Sequence, residues 1–152
     1  MNKIIPIAIL TAAIVSAALA HEGHDHATGV VRERMELMTD MGKRLLATSK
    51  RLRANKELES VTSDAHAILE LASKVPTLFP PGSTQAPTAA KPAVWQEWED
   101  FAAKAKNLEK ESEKLMNTST KNGEALRAQF RAVGFACDSC HEKYRLTKEN
   151  RR

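Results

Sequence analysis

Cys137, Cys140 and His141 form a C-x-x-C-H motif near the end of the chain, with Asp138 and Ser139 between the two cysteines. This spacing is the attachment signature of c-type haem. The two thiols add across the two vinyl groups of the porphyrin, and the two intervening residues let one helical turn span them. The adjacent imidazole binds the iron as proximal ligand. The motif therefore predicts one haem c per chain, attached through Cys137 and Cys140 and ligated by His141.

Two other uses of a C-x-x-C pair remain open at this point. A redox dithiol of the thioredoxin type normally begins a helix after a strand, and no strand-like segment precedes Cys137. A zinc site needs four ligands, and the chain has only these two cysteines. The motif is therefore interpreted as a haem site, with a redox dithiol as the main alternative.

The first 20 residues read as a secretory signal peptide. Lys3 supplies the positive start, residues 4–15 are apolar, and Ala18-Leu19-Ala20 is a cleavage site that would make His21 the first mature residue. The apolar stretch is short for a transmembrane anchor, although an uncleaved anchor stays open. We predict export to the periplasm, where bacteria attach haem c, and no stable membrane insertion.

Charge and motif content exclude several classes of function. The chain carries 23 Lys and Arg against 19 Asp and Glu, and this small, interspersed excess argues against nucleic-acid binding. Modest steering of an acidic protein partner is compatible with it. No nucleophile motif and no glycine-rich phosphate loop is present, so we predict no enzymatic activity. The expected partners are a redox donor and a redox acceptor, neither of which the sequence identifies.

Four amphipathic helices are predicted beyond the signal segment. They run from about 30 to 54, from about 57 to 75, from about 92 to the polar turn at 117–122, and from about 124 to 147. In the first, Val31, Met38, Leu45 and Leu52 repeat every seven residues as an apolar seam, with Met35, Met41 and Leu46 beside it. In the third, Trp95 and Trp98 begin the inner face. In the last, Cys137 and Cys140 lie on the apolar seam.

The remaining segments read as tails and one long loop. Residues 21–29 form a His-rich tail, which we expect to be flexible, and His21, His24 and His26 offer an alternative function in binding copper or zinc. Residues 77–91 contain four prolines or glycines and form a loop. Residues 148–152 form a C-terminal tail. The predicted fold is all-α, an antiparallel four-helix bundle over residues 30–147 with covalently attached haem c.

The sequence resembles the cytochrome c′ family, the class II c-type cytochromes, over essentially the whole mature chain. C-x-x-C-H at the C-terminal end of a four-helix chain carries most of this resemblance. The other matching segments are Arg34-x-x-x-Met38-x-x-x-Gly42, Leu78-Phe79-Pro80-Pro81-Gly82-Ser83, the pair Trp95 and Trp98, and Tyr144-Arg145 after the motif.

The resemblance implies a haem inside the bundle with its distal face against the first helix. In the low-spin branch of the family a Met there is the sixth ligand, and alignment on Arg34 and Gly42 puts Met38 at that position. The implied function is single-electron transfer through His141/Met38-ligated iron. The alternative is five-coordinate iron that binds nitric oxide or carbon monoxide. Met38 could instead be a core filler, and Met35 or Met41 would ligate if the register shifts.

Family resemblance also implies roles for two arginines and an oligomeric state. Arg34 would reach a haem propionate, since a guanidinium matches a carboxylate in bidentate fashion; the alternative is a solvated surface arginine. Arg145 would lie beside the proximal His141 and tune its imidazole, the alternative being surface charge at a helix C-terminus. Family members dimerise through the first two helices, which makes a homodimer possible here.

Overall fold

A computed structural model describes residues 26–147. The helices are α1 (Gly29–Ala54), α2 (Glu59–Lys74), α3 (Ala93–Gln96), α4 (Trp98–Asn117) and α5 (Gly123–Tyr144), with a 3-10 turn at Pro76–Leu78. Within residues 26–147 the only β-type pairing is an isolated bridge between Ala90 and Arg145, so the all-α prediction is confirmed. The predicted signal peptide, most of the His-rich tail and residues 148–152 lie outside the described residues.

Two predicted helices have different ends in the structure. The third is divided at Glu97, where φ is −124° and ψ is 47°, so the short α3 precedes the long α4. The last ends at Tyr144 rather than Thr147, because Arg145 is extended and the chain there pairs with the loop. The Leu146 amide donates to the Ala89 carbonyl at 2.8 Å, and the Lys91 amide donates to the Tyr144 carbonyl at 2.9 Å.

The buried face of α1 matches the predicted seam only in part. Its buried residues are Val31, Arg34, Leu37, Met41, Thr48 and Leu52. Met38 and Leu45 pack against the core but are only half-buried, and Leu46 is 54% exposed. Val31 and Leu52, the first and last residues of the predicted heptad, are buried as expected. In the middle of α1 the buried positions include the polar Arg34 and Thr48.

The core lies between α2, α4 and α5. On α2, Val61, Ala65, Ile68 and Ala72 have no exposed surface, and the small alanines let α4 approach closely. α1 joins this core through α2, where the buried Asp64 carboxylate accepts hydrogen bonds from Thr48 and Arg51. Trp98, predicted on the inner face, is 40% exposed. Its neighbour Trp95 is half-buried, and its indole N–H donates to the Phe79 carbonyl at 3.1 Å.

Candidate haem site

Cys137, Cys140 and His141 lie near the end of α5 and are half-buried at the edge of the core. Phe130, Gly134, Cys137 and His141 are spaced by four, three and four residues, so they share one face of the helix. The Asn122 side chain caps this helix by accepting a hydrogen bond from the Ala125 amide at 3.0 Å. Cys137 and Cys140 pack against the core cluster, as the predicted seam required.

Burial controls the chemistry of both thiols. It raises the pKa of Cys137 to about 11, with the nearby Asp138 carboxylate adding to the effect, and it also raises the pKa of Cys140. A redox-active C-x-x-C pair needs a lowered thiol pKa. The environment of these two cysteines therefore opposes the redox-dithiol interpretation.

His141 has the environment of a neutral ligand. Burial, followed by the positive charge of Arg145, lowers the pKa of this imidazole, so its neutral, iron-binding form is favoured. No side-chain hydrogen bond engages its ring within residues 26–147. In the same part of the chain, no cluster of three His, Cys, Asp or Glu side chains is arranged to hold a free metal ion.

Open space lies beside the motif and beside Met38. A Cβ added to Gly134, on the face of Cys137 and His141, would meet no atom within 4 Å, and the same holds for Gly42, one turn after Met38. α1 and α5 meet at their other ends, where Arg127 donates to the Leu52 carbonyl at 3.3 Å. Two thiols, a neutral imidazole and the open surroundings of Gly134 on the same helix face fit a covalently attached haem.

The three methionines of α1 have different environments. Met41 is only 5% exposed and belongs to the core, whereas Met38 is half-buried and packs on the core from its edge. Met35 is half-buried but makes no such contact with the core cluster. Met38 therefore lies at the edge of the core, and its ligation of iron stays a prediction.

Arg34 is buried, which contradicts the surface alternative. Its side chain is 4% exposed, and its guanidinium donates to the Leu78 carbonyl at 3.0 Å, to Ser83 Oγ at 2.7 Å and to Thr88 Oγ1 at 2.9 Å. Its Cζ lies 3.9 Å from the centre of the Phe79 ring, a cation–π contact. Burial lowers the pKa of Arg34, yet arginine stays protonated in proteins. A contact with a haem propionate remains a prediction.

Arg145 lies close enough to the predicted proximal ligand His141 for its charge to act on the imidazole. It is exposed, its amide donates to the His141 carbonyl at 3.0 Å, and its positive charge lowers the pKa of His141. The predicted tuning of a bound imidazole is untested, although this electrostatic contact supports it. The alternative, a simple surface charge at the helix end, accounts for the exposure of Arg145. It does not account for the backbone pairing of Arg145 with Ala90.

Asp100, Tyr144 and Lys143 form a link that the sequence did not reveal. The Tyr144 hydroxyl donates to the Asp100 carboxylate at 2.5 Å and the Lys143 ammonium donates to it at 3.0 Å. Lys143 also pairs with Glu97. These contacts fasten the start of α4 to the last turn of α5, three residues after His141. No sequence motif predicts these contacts, because the two partners of each hydrogen bond lie more than 40 residues apart.

Replacing Tyr144 with phenylalanine should raise the pKa of Asp100. The hydrogen bond from Tyr144 is the largest cause that holds this pKa below 3.8, and the charge of Lys104 is the smallest. The link therefore stabilises the fold above about pH 3.8 and is lost as the pH falls through the lower, folded-state pKa. NMR titration of the Asp100 carboxyl should show a larger rise in Tyr144→Phe than in Lys104→Gln. An equal rise in both variants would contradict this assignment.

Fold and site together define a four-helix c-type cytochrome, and comparison with known proteins identifies its family. A family profile described as Cytochrome C′ matches residues 29–145. Cytochrome c-556 of Agrobacterium tumefaciens is 30% identical over 122 residues, covering 79% of this chain and 99% of the relative. Cytochrome c-554 of Cereibacter sphaeroides is 30% identical over 147 residues, covering 93% and 96%. The structure of cytochrome c′ from Rhodopseudomonas palustris superposes with a TM-score of 0.74 at 27% identity, covering 80% and 99%.

The chain belongs to the cytochrome c′ family. It is therefore a haem c electron carrier built on a four-helix bundle, and the predicted family, fold class and cofactor are confirmed. Among residues 26–147, no helix is both long enough and apolar enough to cross a membrane.

Proposed function

We propose that this chain is an exported, periplasmic carrier of single electrons whose iron is held by His141 and Met38. The observation that carries the proposal is the placement of Met38. Of the three methionines on α1, it alone packs on the core from a half-buried position at its edge. The other two are either enclosed in the core or make no contact with the core cluster.

Each residue then has a defined task. The haem supplies the redox-active iron, and Cys137 and Cys140 hold it through thioether bonds to α5. His141 donates a nitrogen lone pair, which its lowered pKa keeps free of a proton. Met38 donates a thioether sulfur that never titrates, and His/Met ligation raises the reduction potential. Because both ligands are fixed on packed helices, gain and loss of an electron require little rearrangement.

A second candidate function is the binding of nitric oxide or carbon monoxide at an open distal position. The observation that favours it is the partial exposure of Met38. A thioether at the edge of the core can swing away from the iron more readily than one enclosed by side chains. The two candidates use the same haem and differ only in the sixth ligand.

The proposal includes a signal peptide at residues 1–20, a cytochrome domain at residues 30–147 and a possible homodimer through α1 and α2. A cytochrome c′ structure 28% identical to this chain, with a TM-score of 0.72, is described as having ligand-controlled dimer dissociation. Here α1 carries Leu46, which is 54% exposed, and this apolar side chain supports an interface on that helix.

Absorption spectra of the purified ferric and ferrous protein, with and without carbon monoxide, test the proposed function. We expect a weak far-red ferric band from the iron–thioether bond, sharp ferrous α and β bands, and slow carbon monoxide binding. A high-spin spectrum with rapid binding would instead support the gas-binding candidate. A colourless protein would contradict both.

A further inference from the structure

Residues 78–91, which we call the strap, follow α2 in the sequence and contact both helices that bear the predicted iron ligands, α1 and α5. At one side the strap is held by Arg34 of α1, and at the other it is bonded to the end of α5. We propose that Arg34 is a positioning residue, which acts through the strap to fix the spacing between Met38 and His141. This inference rests on the proposed function in so far as it concerns Met38.

The attachment to α1 uses the whole guanidinium. Arg34 binds the strap at three points along its length: the Leu78 carbonyl, both oxygens of Ser83 and the Thr88 hydroxyl. All of its acceptors lie in the strap, and the Phe79 ring covers its flat face. A lysine could not serve these acceptors, because its three donors radiate from one nitrogen.

The attachment to α5 follows within three residues of Thr88. The Ala89 carbonyl accepts from the Leu146 amide at 2.8 Å, the Lys91 amide donates to the Tyr144 carbonyl at 2.9 Å, and the Lys91 ammonium donates to the Glu142 carbonyl at 3.0 Å. Thr88 joins the two attachments, since its hydroxyl oxygen also accepts from the Ala90 amide at 3.2 Å. A stretch of four residues therefore spans from α1 to α5.

Both anchors lie one helical turn from a predicted ligand. Arg34 precedes Met38 by four residues, and Arg145, which pairs with Ala90, follows His141 by four. Four residues of helix advance about 6 Å, and Arg145 directly follows the last helical residue, Tyr144. A shift of either anchor is therefore passed to the neighbouring ligand. A direct hydrogen bond between α1 and α5, from Arg127 to the Leu52 carbonyl, lies far from these ligands along both helices. The strap supplies the second constraint, at the end where the ligands are.

A pair of threonine variants tests the strap in the holoprotein. Thr88→Val removes the hydroxyl that joins the two attachments. Thr84→Val makes the same change in the same segment, at an exposed side chain that forms no hydrogen bond within residues 26–147. Hydrogen–deuterium exchange of peptides covering 88–92 and 144–147 should be about fivefold faster in Thr88→Val only, the factor that corresponds to one hydrogen bond of about 1 kcal/mol. Equal exchange in the two variants would overturn the strap.

The sixth ligand provides the second readout. In Thr88→Val, carbon monoxide should bind faster, by up to about fivefold, the limit set by the same 1 kcal/mol. The far-red ferric band of this variant should also weaken. Thr84→Val should show neither change. Arg34→Lys, which keeps the charge, should show the same changes. Faster exchange with an unchanged band and binding rate would overturn the positioning of Met38. Absence of the far-red band in the unmutated protein would contradict the proposed function. The hydrogen–deuterium exchange result alone would then decide whether the strap links α1 to α5.

Discussion

Serine at both Cys137 and Cys140 should abolish covalently attached haem. Serine oxygen does not form the thioether bonds that hold the porphyrin vinyl groups, so any haem that enters the site is held by ligation and packing alone. Haem staining after denaturing electrophoresis should detect none in the double variant. The single variants Cys137→Ser and Cys140→Ser each keep one thiol on α5, and some attached haem should survive in them.

Ser139→Ala is the matched control for this change. Ser139 lies between the two cysteines, is exposed, and donates its hydroxyl only to the Ala136 carbonyl one turn earlier, at 3.1 Å. Its removal should leave haem attachment intact. Haem that stays with the denatured double variant would show that the attachment uses other residues.

Met38→Leu should convert the iron from six-coordinate to five-coordinate. Leucine keeps the apolar volume at the core edge but has no sulfur, so the far-red ferric band should disappear and carbon monoxide should bind rapidly. If the thioether occupies the iron for about 99% of the time, its removal raises the apparent affinity for carbon monoxide about hundredfold, because the open fraction rises from about 1% to all of the protein. The reduction potential should fall as well.

Met35→Leu and Met41→Leu test which methionine of α1 binds the iron. Both lie one turn from Met38 on α1, and neither should alter the ferric band. Met41→Leu changes the packing of the core, where volume-conserving swaps usually cost less than about 1.5 kcal/mol, but it leaves Met38 in place. Loss of the band in either variant, with the band retained in Met38→Leu, would move the ligand assignment to that residue.

The sequence predicted the four long helices and the position of the haem motif well, because both depend on local patterns. C-x-x-C-H is contiguous, and the apolar spacing that places Cys137 and Cys140 on a packed face is read within one helix. The same local reasoning was wrong about the end of α5. Arg145 leaves the helix because it pairs with Ala90, a contact between segments more than 50 residues apart.

Arg34 shows why the buried polar contacts could not be predicted from the sequence. An arginine on an amphipathic helix is normally solvent-exposed, and only the three-dimensional arrangement of Leu78, Ser83 and Thr88 gives it enough acceptors to be buried. Asp64 is a similar case, since Thr48 and Arg51 of α1 supply its partners. Arg34 and Thr48 thus occupy buried positions on α1, and Met38 lies at the edge of the buried face.

Iron-edge X-ray absorption of the purified ferric protein tests the central claim most directly, because it identifies the atoms bound to iron. The His141/Met38 assignment predicts five nitrogen neighbours, four from the porphyrin and one from imidazole, together with one sulfur. That sulfur should be absent from Met38→Leu protein. Five nitrogen neighbours without sulfur in the unmutated protein would contradict the assignment and support a five-coordinate, gas-binding cytochrome.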